Sequence, residues 1–276
     1  MNKHGTLLTL ILACFAAFPG KAQDEFDVYL LLGQSNMAGR GEILPEDRAP
    51  MDGVFLLDGE GKPVPATVPF NIYSTVRKGK RLQGYNPGVT FSATLHEKTG
   101  RNILLVSNAR GETSIQDWQK DAPQKNFEKK YGDDTEKWGK PMPSLFGEAV
   151  RRTRQAMQYG PLKGILWLQG EADSYKETAV HYRADLKRFV GALRDSLGVG
   201  KEVPFVAGQV LQDFKRADVI NAEIALVGAS IPGAYCVPSV GCPGKSDQTH
   251  YTREGQRTMG DRFAKLILKK VYKIKK

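Results

Sequence analysis

Residues 28–36 read Val-Tyr-Leu-Leu-Leu-Gly-Gln-Ser-Asn, an unbroken apolar run that ends at a glycine and a polar turn. Short runs of this kind, bounded by glycine and polar residues, are typical of buried parallel strands. Four more runs follow at residues 54–57, 103–106, 165–168 and 204–207, and amphipathic segments occupy 145–159, 182–197 and 254–271. This alternation predicts an α/β fold, a three-layer α/β/α sandwich around a mostly parallel, five-stranded sheet.

The composition is that of a globular protein. The chain has 276 residues, of which 41% are hydrophobic, and a domain of this size buries about three quarters of its surface. The net charge is +10, and much of the excess lies near the end of the chain, in Lys265, Lys269, Lys270, Lys273, Lys275 and Lys276. Because no nucleic-acid-binding motif accompanies these lysines, we expect a solvated face on a final helix and no nucleic-acid partner. Adhesion to an acidic polysaccharide or a membrane surface is the alternative.

The first 22 residues are predicted to be a secretory signal peptide rather than part of the fold. Residues 7–18 are mostly apolar, but they are too few to cross a bilayer, which needs about 20 residues. Gly-Lys-Ala at residues 20–22 then supplies a cleavage site of the small-x-small type. We therefore expect an exported mature domain at residues 23–276 without a membrane span. Lipoprotein anchoring at Cys14 is less favoured, because apolar residues continue past it to Phe18.

Two cysteines, Cys236 and Cys242, remain in the mature chain. Five residues separate them, and Pro238 and Gly241 favour a bend between them. In an oxidising compartment this spacing predicts a small disulfide loop, and two unlinked thiols are the alternative. Two cysteines without clustered histidines make a poor metal site, so we expect no metal.

Two long segments depart from the alternation of strands and helices. Residues 58–88 are rich in proline and glycine, and residues 119–142 carry charges of both signs. Loops of this length are uncommon unless they are functional or mobile. We expect both to be surface loops, either of which could border a functional site.

Ser35 directly follows the first predicted strand, so it lies at the carboxyl end of the sheet, where ligands bind in folds of this class. Gly33 permits a tight turn just before it. Near the other end of the chain, Asp247 precedes His250 by three residues, a spacing that can bring a carboxylate beside an imidazole. A carboxylate that holds one ring nitrogen leaves the other free to take a serine proton. The remaining histidines lie in the leader or within predicted helices and are His4, His96 and His181.

Two further polar segments follow the third and fourth predicted strands. They are SNARGETS at residues 107–114 and the end of WLQGEAD at residues 167–173. Gly111 lets its backbone N–H approach a ligand closely, and the Gln169 side chain can donate through its amide group. Together with the Ser35 N–H, these groups predict an oxyanion hole with three donors.

Four motifs, GQSNMAGRG, RGETSI with Trp118, WLQGEAD and Asp-x-x-His, resemble in this order those of the SGNH-hydrolase superfamily. The narrower resemblance is to the sialate O-acetylesterase-like group, which includes carbohydrate esterase family six and its acetylxylan esterases. It extends over residues 27–268 and implies a flavodoxin-like fold. It also implies that Ser35 is the nucleophile, that His250 is the general base and then the general acid, and that Asp247 orients His250.

By the same resemblance, Gly111 and Gln169 are the oxyanion donors beside the nucleophile, and Gln169 stands where the wider superfamily has asparagine. The chain departs from the family pattern at two positions. Glu112 stands where the family usually has a second glycine, and Leu168 where it often has histidine. A carboxylate beside the oxyanion hole could alter the choice of acyl group or weaken the site.

Other side chains near these motifs are candidates for substrate contact or for support of the site, namely Gln34, Asn36, Arg110, Glu112, Trp118 and Glu171. Glu171 is expected to support the turn at Gln169, and with Asp173 it could instead form an acid pair as in a glycosidase. Trp118 is favoured as a ring that stacks on a sugar, with burial in the core as the alternative, and Trp138 has the same two possibilities.

Arg40 and Arg110 could bind substrate oxygens or pair with nearby carboxylates. The resemblance implies an exported serine esterase that removes O-acetyl groups from carbohydrate through an acetyl-enzyme, without a metal or cofactor. The expected partner is an acetylated glycan, and xylan, sialic acid and other glycans stay open, as does the oligomeric state. Three alternatives are a lipid ester or thioester as substrate, a carbohydrate-binding protein whose catalysis Glu112 has impaired, and a polyanion-binding protein that uses the lysine-rich end.

Overall fold

The computed structural model of the chain describes residues 26–126 and 140–274. The predicted leader and Trp138 lie outside these residues. Seven strands form one sheet in the described part: β1 (Phe26–Gly33), β2 (Val54–Leu57), β3 (Pro63–Pro65), β4 (Asn102–Ser107), β5 (Leu162–Leu168), β6 (Phe205–Gly208) and β7 (Ala234–Val237). Their order across the sheet is β3-β2-β4-β1-β5-β6-β7, and all neighbours are parallel except β3, which is antiparallel to β2.

All five predicted strands are present, but the predicted count of five is wrong because the sheet has two more. β3 and β7 are its edge strands. β3 consists of Pro-Val-Pro, and β7 is Ala-Tyr-Cys-Val with two half-buried residues. An edge strand is paired on one side only and tolerates proline and partial exposure. Neither segment therefore shows the unbroken apolar run by which the five inner strands were predicted.

Seven α-helices accompany the sheet in the described residues: α1 (Ser35–Ala38), α2 (Pro87–Thr99), α3 (Leu145–Ala156), α4 (Lys176–Leu197), α5 (Ala217–Ala225), α6 (Val227–Ser230) and α7 (Arg253–Lys270). The predicted amphipathic segments correspond to α3, α4 and α7. α4 begins earlier than predicted because its first turns are mostly exposed and carry no apolar stripe. The Thr252 side chain caps α7 by accepting the Gly255 N–H. Across the described ranges, no helix combines the length and apolarity that a membrane span requires.

Alternate side chains of β1 enter two separate hydrophobic cores on opposite faces of the sheet. Val28 and Leu30 belong to the core that α3, α4 and α5 cover. Tyr29 and Leu31 belong to the core that α2 and α7 cover. All eight residues of β1 are buried, as expected for a strand covered on both faces. The predicted three-layer α/β/α sandwich is thereby confirmed.

The segment at residues 58–88 is packed into the fold more closely than a surface loop would be. It contains β3, and its Asn71 is fully buried. The Asn71 side chain accepts the Ala109 N–H at 2.9 Å and donates to the Ala109 carbonyl at 3.0 Å. The segment therefore supports the loop that follows β4.

The segment at residues 119–142 is anchored by buried residues near both ends. The Gln119 amide donates to the backbone carbonyls of Ile115 and Asp185, each at 3.1 Å. Met142 belongs to the core on the α3, α4 and α5 face. Residues 127–139, where much of the mixed charge lies, are outside the described part of the chain.

Cys236 and Cys242 are free thiols in the structure, so the predicted disulfide loop is not formed. Cys236 lies on β7 and packs against the core on the α3, α4 and α5 face. Cys242 is buried in the core on the opposite face. A disulfide needs Cβ atoms within about 4.5 Å of each other, and thiols on opposite faces of a sheet do not meet this condition. Burial raises the pKa of both thiols.

β1 ends at Gly33, where the backbone turns sharply beside β5. The φ angle of Gly33 is 137°, and a Cβ at this position would lie 2.2 Å from the carbonyl oxygen of Leu168. Only glycine fits both the conformation and the close approach. After the turn, the Gln34 N–H donates to the same Leu168 carbonyl at 3.0 Å. Gly33 therefore decides where the residues that follow β1 are placed.

We expect Gly33→Ala to lower the free energy of unfolding by about 2–4 kcal/mol, because the added methyl group must displace backbone. Gly191 on α4 is the matched control, since nothing lies within 4 Å of the Cβ that it would gain. Gly191→Ala should instead stabilise the helix by about 0.5–1 kcal/mol. Urea unfolding followed by circular dichroism measures both changes, and equal stabilities for the two variants would contradict the role assigned to the Gly33 turn.

Candidate active site

The candidate site lies at the carboxyl ends of three neighbouring strands. β1 is paired with β4 on one side and with β5 on the other. Ser35 follows β1, Gly111 follows β4, and Gln169 follows β5 directly. His250 reaches the same edge from the loop before α7. The structure thus brings together residues that are up to 215 positions apart in sequence.

Ser35, His250 and Asp247 form a continuous chain of hydrogen bonds. The Ser35 Oγ lies 2.9 Å from His250 Nε2, and His250 Nδ1 lies 2.8 Å from Asp247 Oδ2. An ionised carboxylate can only accept, so Nδ1 carries the ring proton and Nε2 is left to accept the serine proton. This is the arrangement of a nucleophile, a base and the acid that orients the base.

The loop from Asp247 to His250 holds the carboxylate with three hydrogen bonds. Asp247 Oδ1 accepts the backbone N–H groups of Thr249 and His250, both at 2.9 Å, and Oδ2 accepts the imidazole. Gln248 adopts a left-handed φ of 55°, which closes the turn. Partial burial raises the pKa of Asp247, but the hydrogen bonds from His250 and Thr249 outweigh it and hold that pKa below its usual value. Asp247 is therefore ionised at neutral pH.

The surroundings of His250 lower its pKa. Burial is the main cause, and the positive charges of Arg40 and Lys245 act in the same direction. The hydrogen bond and the negative charge of Asp247 raise the pKa of His250, but they do not outweigh the groups that lower it. The imidazole is therefore neutral at neutral pH, the form in which it can act as a base.

Ser35 and Gly111, whose backbone N–H groups are predicted oxyanion donors, lie against each other. In the described residues, the loops and turns offer no backbone acceptor that the Ser35 N–H or the Gly111 N–H binds. A Cβ at Gly111 would lie 3.6 Å from the Ser35 Cβ and 3.2 Å from Arg40 Nη2, so the two residues are in close contact. Both N–H groups can therefore serve a substrate oxygen.

Gln169 is placed differently from the prediction. Its side chain is fully buried, and its amide nitrogen donates to the Thr113 carbonyl at 2.9 Å and to Asp173 Oδ2 at 2.5 Å. Asp173 Oδ2 also accepts the Ile115 N–H at 2.8 Å. Both amide hydrogens of Gln169 are used in this way, so the geometry does not support a role as third oxyanion donor. Gln169 and Asp173 instead tie the loop after β4 to the turn after β5.

Glu112 occupies a backbone conformation that favours glycine. Its φ is 61°, in the left-handed region, where a residue other than glycine costs about 1 kcal/mol or more. This agrees with the glycine that the family pattern has at this position. The Glu112 carboxylate is ion-paired with the Lys78 ammonium, and its side chain is 55% exposed.

Three other candidates, Trp118, Arg110 and Gln34, are buried. Trp118 is fully buried, donates from Nε1 to Thr113 Oγ1 at 3.0 Å, and meets the Trp167 ring edge-on with 5.3 Å between centroids. The prediction that Trp118 stacks on a sugar is therefore wrong. Arg110 is buried and donates to the Val76 carbonyl at 3.0 Å. Gln34 is buried too, with no hydrogen-bond partner for its side-chain oxygen among the described residues.

Of the cations at the site, sequence reasoning singled out only Arg40. We call the whole group the cationic rim: Arg40, Arg77, Lys78, Arg81 and Lys245. Residues 76–82 are tied to the site at both ends, because Arg110 donates to the Val76 carbonyl and Arg40 to the Leu82 carbonyl. Lys245 Nζ donates to the Arg40 carbonyl at 2.7 Å. The run Arg-Lys-Gly-Lys-Arg at residues 77–81 was the available signal.

An exposed tyrosine at the same edge of the sheet was also missed. Tyr175, in the turn before α4, is 54% exposed. The Arg216 guanidinium lies over its ring, 3.9 Å from the centroid, and donates to Ser174 Oγ at 2.8 Å. An aromatic ring held in this way presents apolar surface to solvent. Tyr175 follows the motif WLQGEAD by two residues, but nothing in the sequence marked it as exposed.

We expect Lys245→Met to raise the pKa of His250, because the change removes a positive charge that lowers it. An NMR titration of the His250 imidazole measures the effect, which should diminish as added salt screens the charges. Lys269→Met is the control, with the same change of charge near the far end of α7, about 24 Å along the helix from its first residue, and it should leave the titration unchanged. A His250 pKa that does not rise in Lys245→Met would contradict this account of the site.

Comparisons with known protein sequences bear on the family of this chain. A sequence profile of the family described as carbohydrate esterase, sialic acid-specific acetylesterase matches residues 25–269. A probable carbohydrate esterase of Arabidopsis thaliana is 26% identical over 260 residues, which cover 87% of this chain and 90% of the relative.

Solved structures share the fold. A protein from Arabidopsis thaliana superposes with a TM-score of 0.73 at 24% identity, over 89% of this chain and 98% of that one. NanS superposes with a TM-score of 0.64 at 18% identity, over 89% and 97% of the two chains. A carbohydrate acetylesterase from Xanthomonas citri gives a TM-score of 0.63 at 18% identity, over 90% and 57%. Because the family profile spans most of its length, the chain belongs to the sialic acid-specific acetylesterase family of carbohydrate esterases and is a carboxylic ester hydrolase.

Proposed function

We propose that this protein is an exported serine esterase that hydrolyses O-acetyl esters on carbohydrates through an acetyl-enzyme intermediate. The mature domain begins at residue 23, after removal of the leader. Membership of a carbohydrate acetylesterase family supports the reaction class. The hydrogen-bond chain from Ser35 through His250 to Asp247 is the observation that carries the proposal.

In the first half of the reaction, the Ser35 oxygen attacks the carbonyl carbon of the acetyl group. The serine proton passes to His250 Nε2, 2.9 Å away, as the new carbon–oxygen bond forms. The carbonyl electron pair moves to its oxygen, and the N–H groups of Ser35 and Gly111 stabilise that oxyanion. Asp247 stabilises the imidazolium that results.

The tetrahedral intermediate then collapses, and the bond to the sugar oxygen breaks. The sugar oxygen takes the proton from His250 and leaves as a hydroxyl group, so that an acetyl ester on Ser35 remains. A water molecule attacks this ester with His250 again as the base. A second tetrahedral intermediate releases acetate and restores the Ser35 hydroxyl.

The cationic rim supports a sugar that carries a carboxylate, such as an acetylated sialic acid or uronate, in preference to a neutral acetylated glycan. Arg40 and Lys245 act on His250, and Lys78 is paired with the Glu112 carboxylate. Arg77 and Arg81 lie on the segment 76–82 that is tied to the site at both ends. Such an excess of positive charge raises the local concentration of an anionic substrate. The exposed Tyr175 ring offers apolar surface for a pyranose at the same edge of the sheet.

Glu112 does not favour the alternative in which catalysis has been lost. Its carboxylate is paired with Lys78, and the neighbouring Gly111, which supplies the backbone donor, is retained. The ion pair neutralises a charge that would otherwise oppose an oxyanion nearby. These observations support an active esterase.

We expect Ser35→Ala to lower kcat for acetate release by about 10⁴–10⁶-fold, because the nucleophile is removed. An aryl acetate and an acetylated glycan are suitable substrates for the mature protein. Ser196→Ala, a serine change at the end of α4, is the control and should retain full turnover. Turnover that survives in Ser35→Ala would refute the acetyl-enzyme mechanism.

We expect the wild-type protein to prefer an O-acetylated methyl glucuronide to the matching glucoside by about 10-fold in kcat/KM at low salt. The preference should shrink in 0.5 M salt, which screens charges beyond about 4 Å. Arg81→Met should reduce it, whereas Lys269→Met, at the far end of α7, should not. Equal rates on the two sugars at low salt would refute the preference for an acidic substrate and leave the esterase proposal intact.

A further inference from the structure

The side chain of Asn36 joins the nucleophile to the loop that carries the base. Asn36 directly follows Ser35 and is fully buried. Its Nδ2 donates to the Thr249 carbonyl at 3.1 Å, and its Oδ1 accepts the Tyr251 N–H at 3.1 Å. Thr249 and Tyr251 are the two neighbours of His250 in sequence. One amide thus holds the backbone on both sides of the base.

A buried carboxylate fixes the orientation of that amide. Asn36 Nδ2 donates to Glu171 Oε1 at 2.7 Å, in the turn after β5. A carboxylate oxygen accepts and a backbone N–H donates, so only one of the two possible amide orientations satisfies both Glu171 and Tyr251. Gln256 on α7 adds a further bond, from its Nε2 to the Asn36 carbonyl at 3.2 Å. Asn36 is therefore held from β5, from α7 and from the His250 loop.

The distance between Ser35 and His250 depends on these contacts. The two residues lie on segments 215 positions apart, and a single hydrogen bond of 2.9 Å joins their side chains. That bond alone cannot position a loop, because it must break and re-form in each catalytic cycle. The bonds of Asn36 involve no reacting atom, so no step of the proposed reaction has to break them. A displacement of about 1 Å between catalytic groups can cost about 100-fold in rate.

We propose that Asn36, oriented by Glu171, is a positioning residue that sets the Ser35–His250 distance by clamping the backbone on both sides of the base. The inference rests on the proposed function, because it assigns Ser35 and His250 their catalytic roles. The role of Glu171 in this proposal is to orient Asn36. The sequence had suggested two other roles, which were support of the turn at Gln169 and an acid pair with Asp173 as in a glycosidase.

The environment of Glu171 agrees with this task. Burial raises the pKa of Glu171 to about 7, the negative charge of Asp173 adds to the rise, and the Asn36 donor opposes it. A buried carboxylate is unfavourable unless a donor compensates for the loss of water. The Asn36 amide is the side chain that supplies such a donor to Oε1. The amide and the carboxylate therefore stabilise each other.

The first test compares Asn36→Ala with a matched control, Asn221→Ala. Asn221 is also buried and also holds two backbone groups, the N–H and the carbonyl of Val210, at 2.8 Å and 3.0 Å. We expect Asn36→Ala to lower kcat on an aryl acetate by about 10–100-fold with little change in KM. Asn221→Ala should lose comparable stability but retain kcat.

The second readout is the NMR titration of His250, which requires no substrate. The groups that act on this imidazole are Asp247, Arg40 and Lys245, and burial is the main cause of its lowered pKa. Release of the clamp should admit water to the imidazole, so we expect its pKa to rise in Asn36→Ala and to stay unchanged in Asn221→Ala. A residue that served stability alone would not produce this difference.

The third test exchanges the hydrogen-bond donor of Asn36 and the acceptor of Glu171. Glu171→Gln keeps a carbonyl oxygen for the Asn36 amide and should retain most of kcat, whereas Glu171→Ala should lose about 10-fold or more. Asn36→Asp alone places two carboxylates in contact and should lose activity strongly. Adding Glu171→Gln to Asn36→Asp supplies a donor again and should recover part of the loss.

Unchanged kcat and an unchanged His250 titration in a folded Asn36→Ala variant would overturn the proposal. If that variant does not fold, the absence of any recovery in the combined Asn36→Asp and Glu171→Gln variant would overturn it. A wild-type protein without turnover on acetate esters would refute the proposed function instead. In that case the His250 titration still decides whether Asn36 clamps the loop.

Discussion

Parallel pairing of β1 between β4 and β5 is the constraint on which the rest of the site depends. Parallel strands lie about 4.8 Å apart and end at the same edge of a sheet. The pairing continues past the strand ends, where the Arg110 N–H donates to the Gly33 carbonyl at 3.0 Å. Gly111 directly follows Arg110, and Ser35 lies two residues after Gly33, so this backbone pairing brings Ser35 and Gly111 into contact. The glycine at position 33 makes this possible, because a side chain there would collide with β5.

Buried amide side chains then fix the loops that leave these strands. Asn71 holds the loop after β4, Gln169 joins that loop to the turn after β5, and Asn36 joins the turn after β1 to the His250 loop. An amide suits this purpose because it offers both a donor and an acceptor. Satisfied polar networks of this kind rigidify a protein where hydrophobic packing cannot specify a loop. A rigid site loses little free energy to reorganisation when charge develops on a substrate.

Charge is distributed in two layers around the serine. Below it, Glu171 and Asp173 are buried, and burial raises their pKa values to about 7 and about 6. Beside it, Arg40 and Lys245 of the cationic rim lower the pKa of His250. The two layers act on different properties. The buried acids accept hydrogen bonds from the amides of Asn36 and Gln169, whereas the rim cations add to the effect of burial on the pKa of His250.

The sequence by itself determined the inner part of the molecule. Five apolar runs predicted the central strands, and residue type and order predicted Ser35, His250 and Asp247 as a group that the structure then brought together. The strands and the pair of Asp247 and His250 are encoded locally, because a strand buried on both faces must be apolar along its length and a turn of three residues can place an acid beside an imidazole. The contact of His250 with Ser35, 215 positions away, is made by the fold.

Only the tertiary structure decided features that depend on contacts between distant segments. It placed Trp118 in the core, turned the Gln169 amide toward Thr113 and Asp173, and put the two cysteines on opposite faces of the sheet. It also added two edge strands, which lack the apolar pattern of inner strands. The direction of a side chain and the identity of its partner are set by what packs against it. Residues distant in sequence supply much of that packing here, as Phe189 does for Trp118 and Thr113 for Gln169, and no local pattern records them.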